Sequence, residues 1–147
     1  MRIQSILLLA GTLASGYGFA QSTSKAPKSH KSKKEKKQST HVGTASFYAN
    51  KFNGRRMANG DLFYQRNMTA ACNIVSLNTY VRVTNLRNKR KVVVKITDRM
   101  HPNNPRLIDL SRSAASQLGY TGHGLTKVKM EILGKERPPG WKYTAGP

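Results

Sequence analysis

The sequence predicts a mainly β domain, a small closed or nearly closed barrel with one short helix. Three observations point there. Segments "YVRVTN", "KVVVKITD" and "TKVKMEI" alternate with period two and are rich in β-branched residues, the pattern of half-buried strands. One segment, "RSAASQL", has the start and stop signals of a short helix. Cys72 is the single cysteine, so no disulfide framework can hold the chain and an apolar core must do so.

Along the chain, residues 1–20 read as an export signal. Arg2 supplies the positive start, "IQSILLLAGTLA" the apolar stretch and "GYGFA" the small residues for cleavage after Ala20. A transmembrane helix is the alternative, but the apolar core is short and Gly-rich, with no flanking basic stop. No Cys in the signal offers a site for lipid attachment. Residues 21–41, "QSTSKAPKSHKSKKEKKQSTH", have almost nothing apolar. Such a segment cannot offset its chain entropy by burial, so it is expected to be a disordered basic linker. Its seven Lys against Glu35 alone give a net charge of +6. It reads either as a solvated spacer or as an electrostatic tether to anionic cell-envelope polymer or lipid headgroups. Export sets nucleic acid aside as a partner.

The folded domain is expected over residues 42–133. "GTASFY" is a weaker strand at Thr44 to Tyr48. "YVRVTN" places Val81 and Val83 on one face, and "KVVVKITD" places Val92, Val94 and Ile96 on one face. The short polar "LRNKR" between them predicts a hairpin. "LIDL" at Leu107 to Leu110 is a further short strand. Ser111 can cap the helix and Gly119 can stop it. "TKVKMEI" turns Val128, Met130 and Ile132 inward, and Lys127, Lys129 and Glu131 outward. Residues 134–147 hold Pro138, Pro139 and Gly140 and are expected to form an extended tail.

The chain has only six acids against 26 Lys and Arg, a net charge of +20, so each carboxylate can be weighed. Glu35 and Glu136 read as solvated, and Glu131 as a surface partner of Lys127 or Lys129. Asp109 precedes the helix and is expected to favour its N-terminus. Asp98 ends "KVVVKITD" on the same parity as Val92, Val94 and Ile96, which delivers a carboxylate to the rim of an apolar face. Partial burial would raise its pKa, and Arg99 would oppose that if its side chain turned back. Asp98 reads equally as an internal salt bridge or a catalytic acid. Asp61 follows Asn59 and Gly60 and reads first as a turn-stabilising residue. His30, His41, His101, His123 and Cys72 show no metal-ligand spacing. Neither a metal nor a cofactor is implied, and nothing fixes an oligomeric state. Cys72, in "TAACN", reads first as a small buried side chain.

"GTASFYANKFNGRRMANGDLF", "MTAACN", "YVRVTNLRNKRKVVVKITDR" and "RLIDLSRSAASQLG" follow one another at close spacing. Together they resemble the rare lipoprotein A (RlpA) family over nearly all of residues 42–133. The resemblance implies a six-stranded double-psi β-barrel with one or two short helices. It implies lytic transglycosylase activity on peptidoglycan glycan strands in the periplasm or cell envelope. In that reaction the C6 hydroxyl of N-acetylmuramic acid, not water, captures the anomeric carbon, and one carboxyl group can act as acid and then base. By position, Asp98 matches the Asp of the family's "NDRGP" and is implied as that group. Asp61 matches the Glu of "ANGE" and is implied to assist. Cys72 stands where the family has the His of "TAAH". Tyr48, Asn59, Cys72, Arg99 and His101 are implied to line the substrate groove, His101 as a stand-in for the missing imidazole. Glu to Asp shortens the reach by one methylene, and His to Cys leaves only a weak donor. These departures keep a second reading open, an expansin-like binder that loosens or organises glycan without cutting it. A third is an envelope protein acting through a partner.

Overall fold

The computed structural model describes residues 38–141. The export signal and most of the basic linker lie outside the described residues. The elements run β1 (Thr40–Phe47), a 3-10 turn (Asn50–Phe52), β2 (Thr69–Ala71), β3 (Tyr80–Asn85), β4 (Lys91–Asp98), β5 (Ile108–Leu110), α1 (Arg112–Leu118) and β6 (Thr126–Gly134). The six strands close into a barrel in the order β1-β5-β2-β4-β3-β6. β1 with β5 and β2 with β4 run parallel, and the other pairs run antiparallel. Closure leaves no sheet edge unpaired, which removes the usual liability of a small β domain.

The alternating strands deliver their apolar parity to the barrel interior. Val81, Val83, Val94, Ile96, Val128 and Met130 are fully buried there, with Ile108 and Leu110 from β5. The expected hairpin is present: β3 and β4 pair from Tyr80↔Lys95 to Thr84↔Lys91. The helix spans the expected residues. Ser111 accepts a hydrogen bond from the Ala114 amide, and Gly119 ends the helix at φ 72°, a conformation only glycine adopts cheaply. Ala114, Ala115 and Leu118 are the helix's buried face. The hairpin turn grips the helix end, because the side chains of Asn85 and Asn88 both donate to the Leu118 carbonyl, at 3.0 and 2.8 Å.

Three differences from the sequence reading have local causes. β1 begins at Thr40, so Thr40 and His41, grouped with the linker by composition, are strand residues paired with Glu131 and Met130. β2, "TAA", is a strand that alternation could not reveal, since its three residues are all buried. The start of the tail is packed, not loose. Trp141 is buried, with its ring edge-on to Tyr80 at 5.0 Å.

Candidate active site

Asp98 closes β4 at the barrel rim, half-buried. Period-two parity alone does not set its direction. Between Ala70↔Ile96 and Ala71↔Asp98, β4 carries one residue more than β2, a bulge of the kind that re-aims a side chain. The extra residue, Thr97, is buried with its hydroxyl against the Met57 sulfur at 3.1 Å. The Asp98 carboxyl meets three donors. Oδ1 accepts from the backbone N–H of Ala58 and of Arg99, each at 2.9 Å. Oδ2 accepts from the Tyr48 hydroxyl at 2.8 Å.

Tyr48 leaves the end of β1, where its amide donates to the Leu110 carbonyl at 2.9 Å. Its ring packs on Phe63, centroids 4.4 Å apart, and edge-on to Phe52 at 5.7 Å. Burial, and then the charge of Asp98, push its hydroxyl far above the ordinary tyrosine range. Tyr48 therefore keeps its proton and acts as a donor.

The "MANGD" loop is stapled onto β4. Besides the Ala58 amide on Asp98, the Asn59 amide donates to the Thr97 carbonyl at 3.1 Å. Asn59 then organises the turn. Its Oδ1 accepts from the Asp61 amide at 3.1 Å, and its Nδ2 donates to Asp61 Oδ2 at 2.8 Å and to Asn78 Oδ1 at 3.1 Å. Gly60 sits at φ 94°, and its carbonyl accepts from Arg56 at 2.7 Å. Asp61 is exposed on this turn. Arg55 stacks over Phe52 at 5.3 Å, so the arginines around Asp61 are engaged elsewhere on the loop.

Tyr48, Asn59, Asp61 and Asp98 thus belong to one bonded cluster. The other three nominated residues do not present side chains to it. Arg99 gives Asp98 its amide, while its guanidinium turns away to the carbonyls of Cys72 and of Val75, the latter at 2.8 Å. It clamps the segment after β2. Cys72 is fully buried in the core, and its contribution at the rim is its amide, which donates to the Asp98 carbonyl at 3.2 Å. Burial raises the Cys72 thiol above its usual range, against a lowering by the amides of Ile74 and Val75. Its side chain faces the core, not the surface of the rim. His101 lies exposed in the next loop, where its Nδ1 accepts from the Asn103 amide at 3.2 Å and its carbonyl from Asn73 at 3.2 Å. Its ring is held by its own turn.

Asp109 is also reassigned. Arg106 grips both its oxygens at 2.8 Å, and Ser111 supplies the helix cap. Glu131 pairs with Lys129 at 3.5 Å as expected of a surface pair. Among the described residues, no three of His, Cys, Asp and Glu come together in a way that could hold a metal ion. Nor is any helix among them long and apolar enough to cross a membrane. Two contributions that sequence reasoning missed act through backbone, the Ala58 amide and the Thr97 carbonyl, and a third, Asn78 at φ 61°, accepts from Asn59 with its side-chain Oδ1. The positive φ is the one signal an Asn at a turn could have offered.

The same barrel fold recurs in known proteins. The family model described as lytic transglycolase matches residues 40–130, from the start of β1 into β6. The chain belongs to this RlpA-like double-psi β-barrel family. Among its relatives is the endolytic peptidoglycan transglycosylase RlpA of Pasteurella multocida, 48% identical over 95 residues, 65% of this chain and 32% of that protein. The RlpA of Haemophilus influenzae is 44% identical over 103 residues, 70% of this chain and 36% of that protein. The chain therefore spans about a third of the length of these curated relatives. Two solved structures share the fold. The expansin of Clavibacter michiganensis superposes with a TM-score of 0.54 at 21% identity, over 69% of this chain and 54% of that one. The Streptomyces papain inhibitor gives 0.50 at 19% identity, over 64% and 94%.

Proposed function

We propose that this RlpA-like domain cuts peptidoglycan glycan strands by lytic transglycosylation in the cell envelope, with Asp98 as the acid and then the base. The observation that supports this most is the wiring of the Asp98 carboxyl. Oδ1 accepts two backbone N–H groups and Oδ2 accepts one hydroxyl. Both lone pairs of Oδ1 are occupied, so the exchangeable proton belongs on Oδ2, beside Tyr48. From there it passes to the glycosidic oxygen as the bond from N-acetylmuramic acid to N-acetylglucosamine breaks. The departing sugar leaves as an alcohol. The Asp98 carboxylate then takes the proton of the muramic C6 hydroxyl, whose oxygen closes onto the anomeric carbon. The product is a 1,6-anhydro end, no water is consumed, and the acid is restored. One carboxyl suffices for this sequence.

Tyr48 steadies the carboxylate between the two steps and, holding its own proton, does not compete as a base. Asp61, exposed on the turn that the Ala58 amide ties to Asp98, adds negative potential where positive charge develops on the sugar. The export signal read at residues 1–20 would bring the domain to the periplasm, and the Lys-rich linker would hold it to anionic envelope polymer.

The test is digestion of intact sacculi by the purified protein, with products read by mass spectrometry. Anhydro-muramic ends are expected from the wild type. Asp98→Asn should reduce them by about a thousandfold or more while binding to sacculi persists. Reducing ends made by water would reject the transglycosylase step. Retained binding with no products at all would move the domain to the non-cutting, expansin-like reading.

A further inference from the structure

Two loops meet at the rim, and consecutive residues of β4 hold them both. The Ile96 carbonyl accepts from the Asn78 amide at 2.7 Å, and the Thr97 carbonyl from the Asn59 amide at 3.1 Å. Asp98 Oδ1 accepts from the Ala58 amide at 2.9 Å. The Ile96 amide also donates to the Thr79 carbonyl at 2.8 Å, so β4 fixes the backbone at Asn78 on both sides. The two loops are then joined by side chains. Asn59 Nδ2 donates to Asn78 Oδ1 at 3.1 Å.

That bond completes the Asn59 amide. A primary amide nitrogen has two N–H donors. One goes to Asp61 Oδ2 at 2.8 Å and the other to Asn78. Asn59 Oδ1 accepts from the Asp61 amide. Turning the amide over would set its oxygen against two acceptors, the Asp61 carboxylate and Asn78 Oδ1. Asn78 therefore helps to decide which end of the amide Asp61 meets. Its own backbone sits at φ 61°, a region that most side chains avoid and that Asn and Asp tolerate. Glycine would adopt it at the least cost, so the backbone alone gives no reason for an asparagine. The bond to Asn59 is a use for its side chain.

We propose that Asn78 is a positioning residue: its Oδ1 fixes the Asn59 amide, and the amide holds the Asp61 carboxylate on the turn that Ala58 ties to Asp98. The role rests on the transglycosylase reading for the reaction it serves. Asp61 acts there by potential alone, and potential in an exposed turn falls with distance and screening. A carboxylate free to swing into solvent loses that effect. The loss belongs in kcat, because the charge matters as the glycosidic bond breaks.

The experiment compares Asn78→Gly with Asn78→Asp in the full chain. Gly keeps the backbone conformation and its bond to Ile96, and deletes the oxygen. Asp keeps an oxygen for Asn59 and tolerates the same backbone. With release of anhydro-muropeptides as the assay, Asn78→Gly should lower kcat about three- to tenfold with KM little changed, the scale of one exposed hydrogen bond. Asn78→Asp should stay within about twofold of the wild type. In a protein already carrying Asp61→Asn, adding Asn78→Gly should lower kcat no further, because the charge it positions is gone. Circular dichroism checks that each variant is folded. Lower stability in urea with kcat unchanged would overturn the proposal, leaving Asn78 a packing role. Asn78→Asp as slow as Asn78→Gly would overturn it too and point to the Asn78 nitrogen. So would losses that multiply in the Asp61→Asn protein. The bridge is also read without any reaction, from the side-chain amide signals of Asn59 in proton–nitrogen NMR spectra. One of its two protons should lose protection from exchange in Asn78→Gly and keep it in Asn78→Asp. Equal protection in all three proteins would remove the bridge alone. That NMR pattern in a protein that makes no anhydro ends would reject the transglycosylase reading, and the kinetic role with it, while the bridge stood.

Discussion

Tyr48 is where the local chemistry is most exposed to test. Its hydroxyl supplies one of the three hydrogen bonds to the Asp98 carboxyl, while its ring is independently fixed by Phe63 and Phe52. Tyr48→Phe removes the bond and keeps the packing. The expected result is a kcat lower by about ten- to a hundredfold with KM little changed, and a stability cost of about 1 kcal/mol. Release of soluble anhydro-muropeptides measures the first and urea unfolding the second. A fall in stability without a fall in kcat would mean that Tyr48 only packs. Residue types were readable at this scale, and their directions were not. Asp98, Asp61, Asn59 and Tyr48 could be nominated because carboxylates are scarce and their motifs resemble a family. The Ala58 amide has no side chain to announce it. Arg99 looked like a neighbour of the Asp98 carboxyl, yet its guanidinium bonds the carbonyls of Cys72 and Val75. Cys72 looked like a groove residue only by position, and burial removes it from the surface.

At the scale of elements, the barrel depends on close backbone approach at β1. A Cβ added to Gly43 would lie 2.6 Å from Leu107 Cβ, well inside contact distance. Leu107 cannot withdraw freely, because its amide bonds the Thr44 carbonyl at 2.9 Å on the way into β5. On its other side Gly43 pairs with Val128 of β6. Gly43→Ala should therefore pry β1 from β5 and cost about 1–3 kcal/mol, the usual range for overpacking. Urea unfolding measures this, and a neutral result would show that Leu107 repacks. The elements legible in the sequence were those with local rules. β3 and β4 alternate and share a short turn, and α1 has both its cap and its stop. β2 has three residues, no exposed face and only non-local partners, β4 and β5. Nothing in so short a segment distinguishes it from a buried loop. The bulge opposite it was hidden for the same reason, and with it the true aim of Asp98.

For the whole molecule, the raised ionisation of its buried hydroxyls links stability to alkaline pH. Tyr48 and Tyr120 are both pushed upward mainly by burial, and Tyr120 donates to the Ser46 carbonyl at 2.8 Å. The buried Cys72 thiol moves in the same direction. In the unfolded chain the thiol titrates near 9.0 and the tyrosines near 10.0. Above those values the unfolded state loses protons that the folded state keeps. Stability from these groups is therefore complete below pH 9 and falls as pH rises towards their folded values. The slope approaches about 1.4 kcal/mol per pH unit for each group fully in its window. Two tyrosines together should give a decline that steepens from about 1.4 kcal/mol per unit at pH 10 to about 2.5 kcal/mol per unit at pH 11. Urea unfolding at a series of pH values from 8 to 11 reads this directly. Tyr48→Phe and Tyr120→Phe should each remove about half of the tyrosine part of the slope, whatever they cost at pH 8. An unchanged slope in either variant would mean that its hydroxyl ionises in the folded barrel as it does in the open chain. For Tyr48 the consequence reaches the rim: a hydroxyl that ionised so readily could not be relied on as a fixed donor to Asp98.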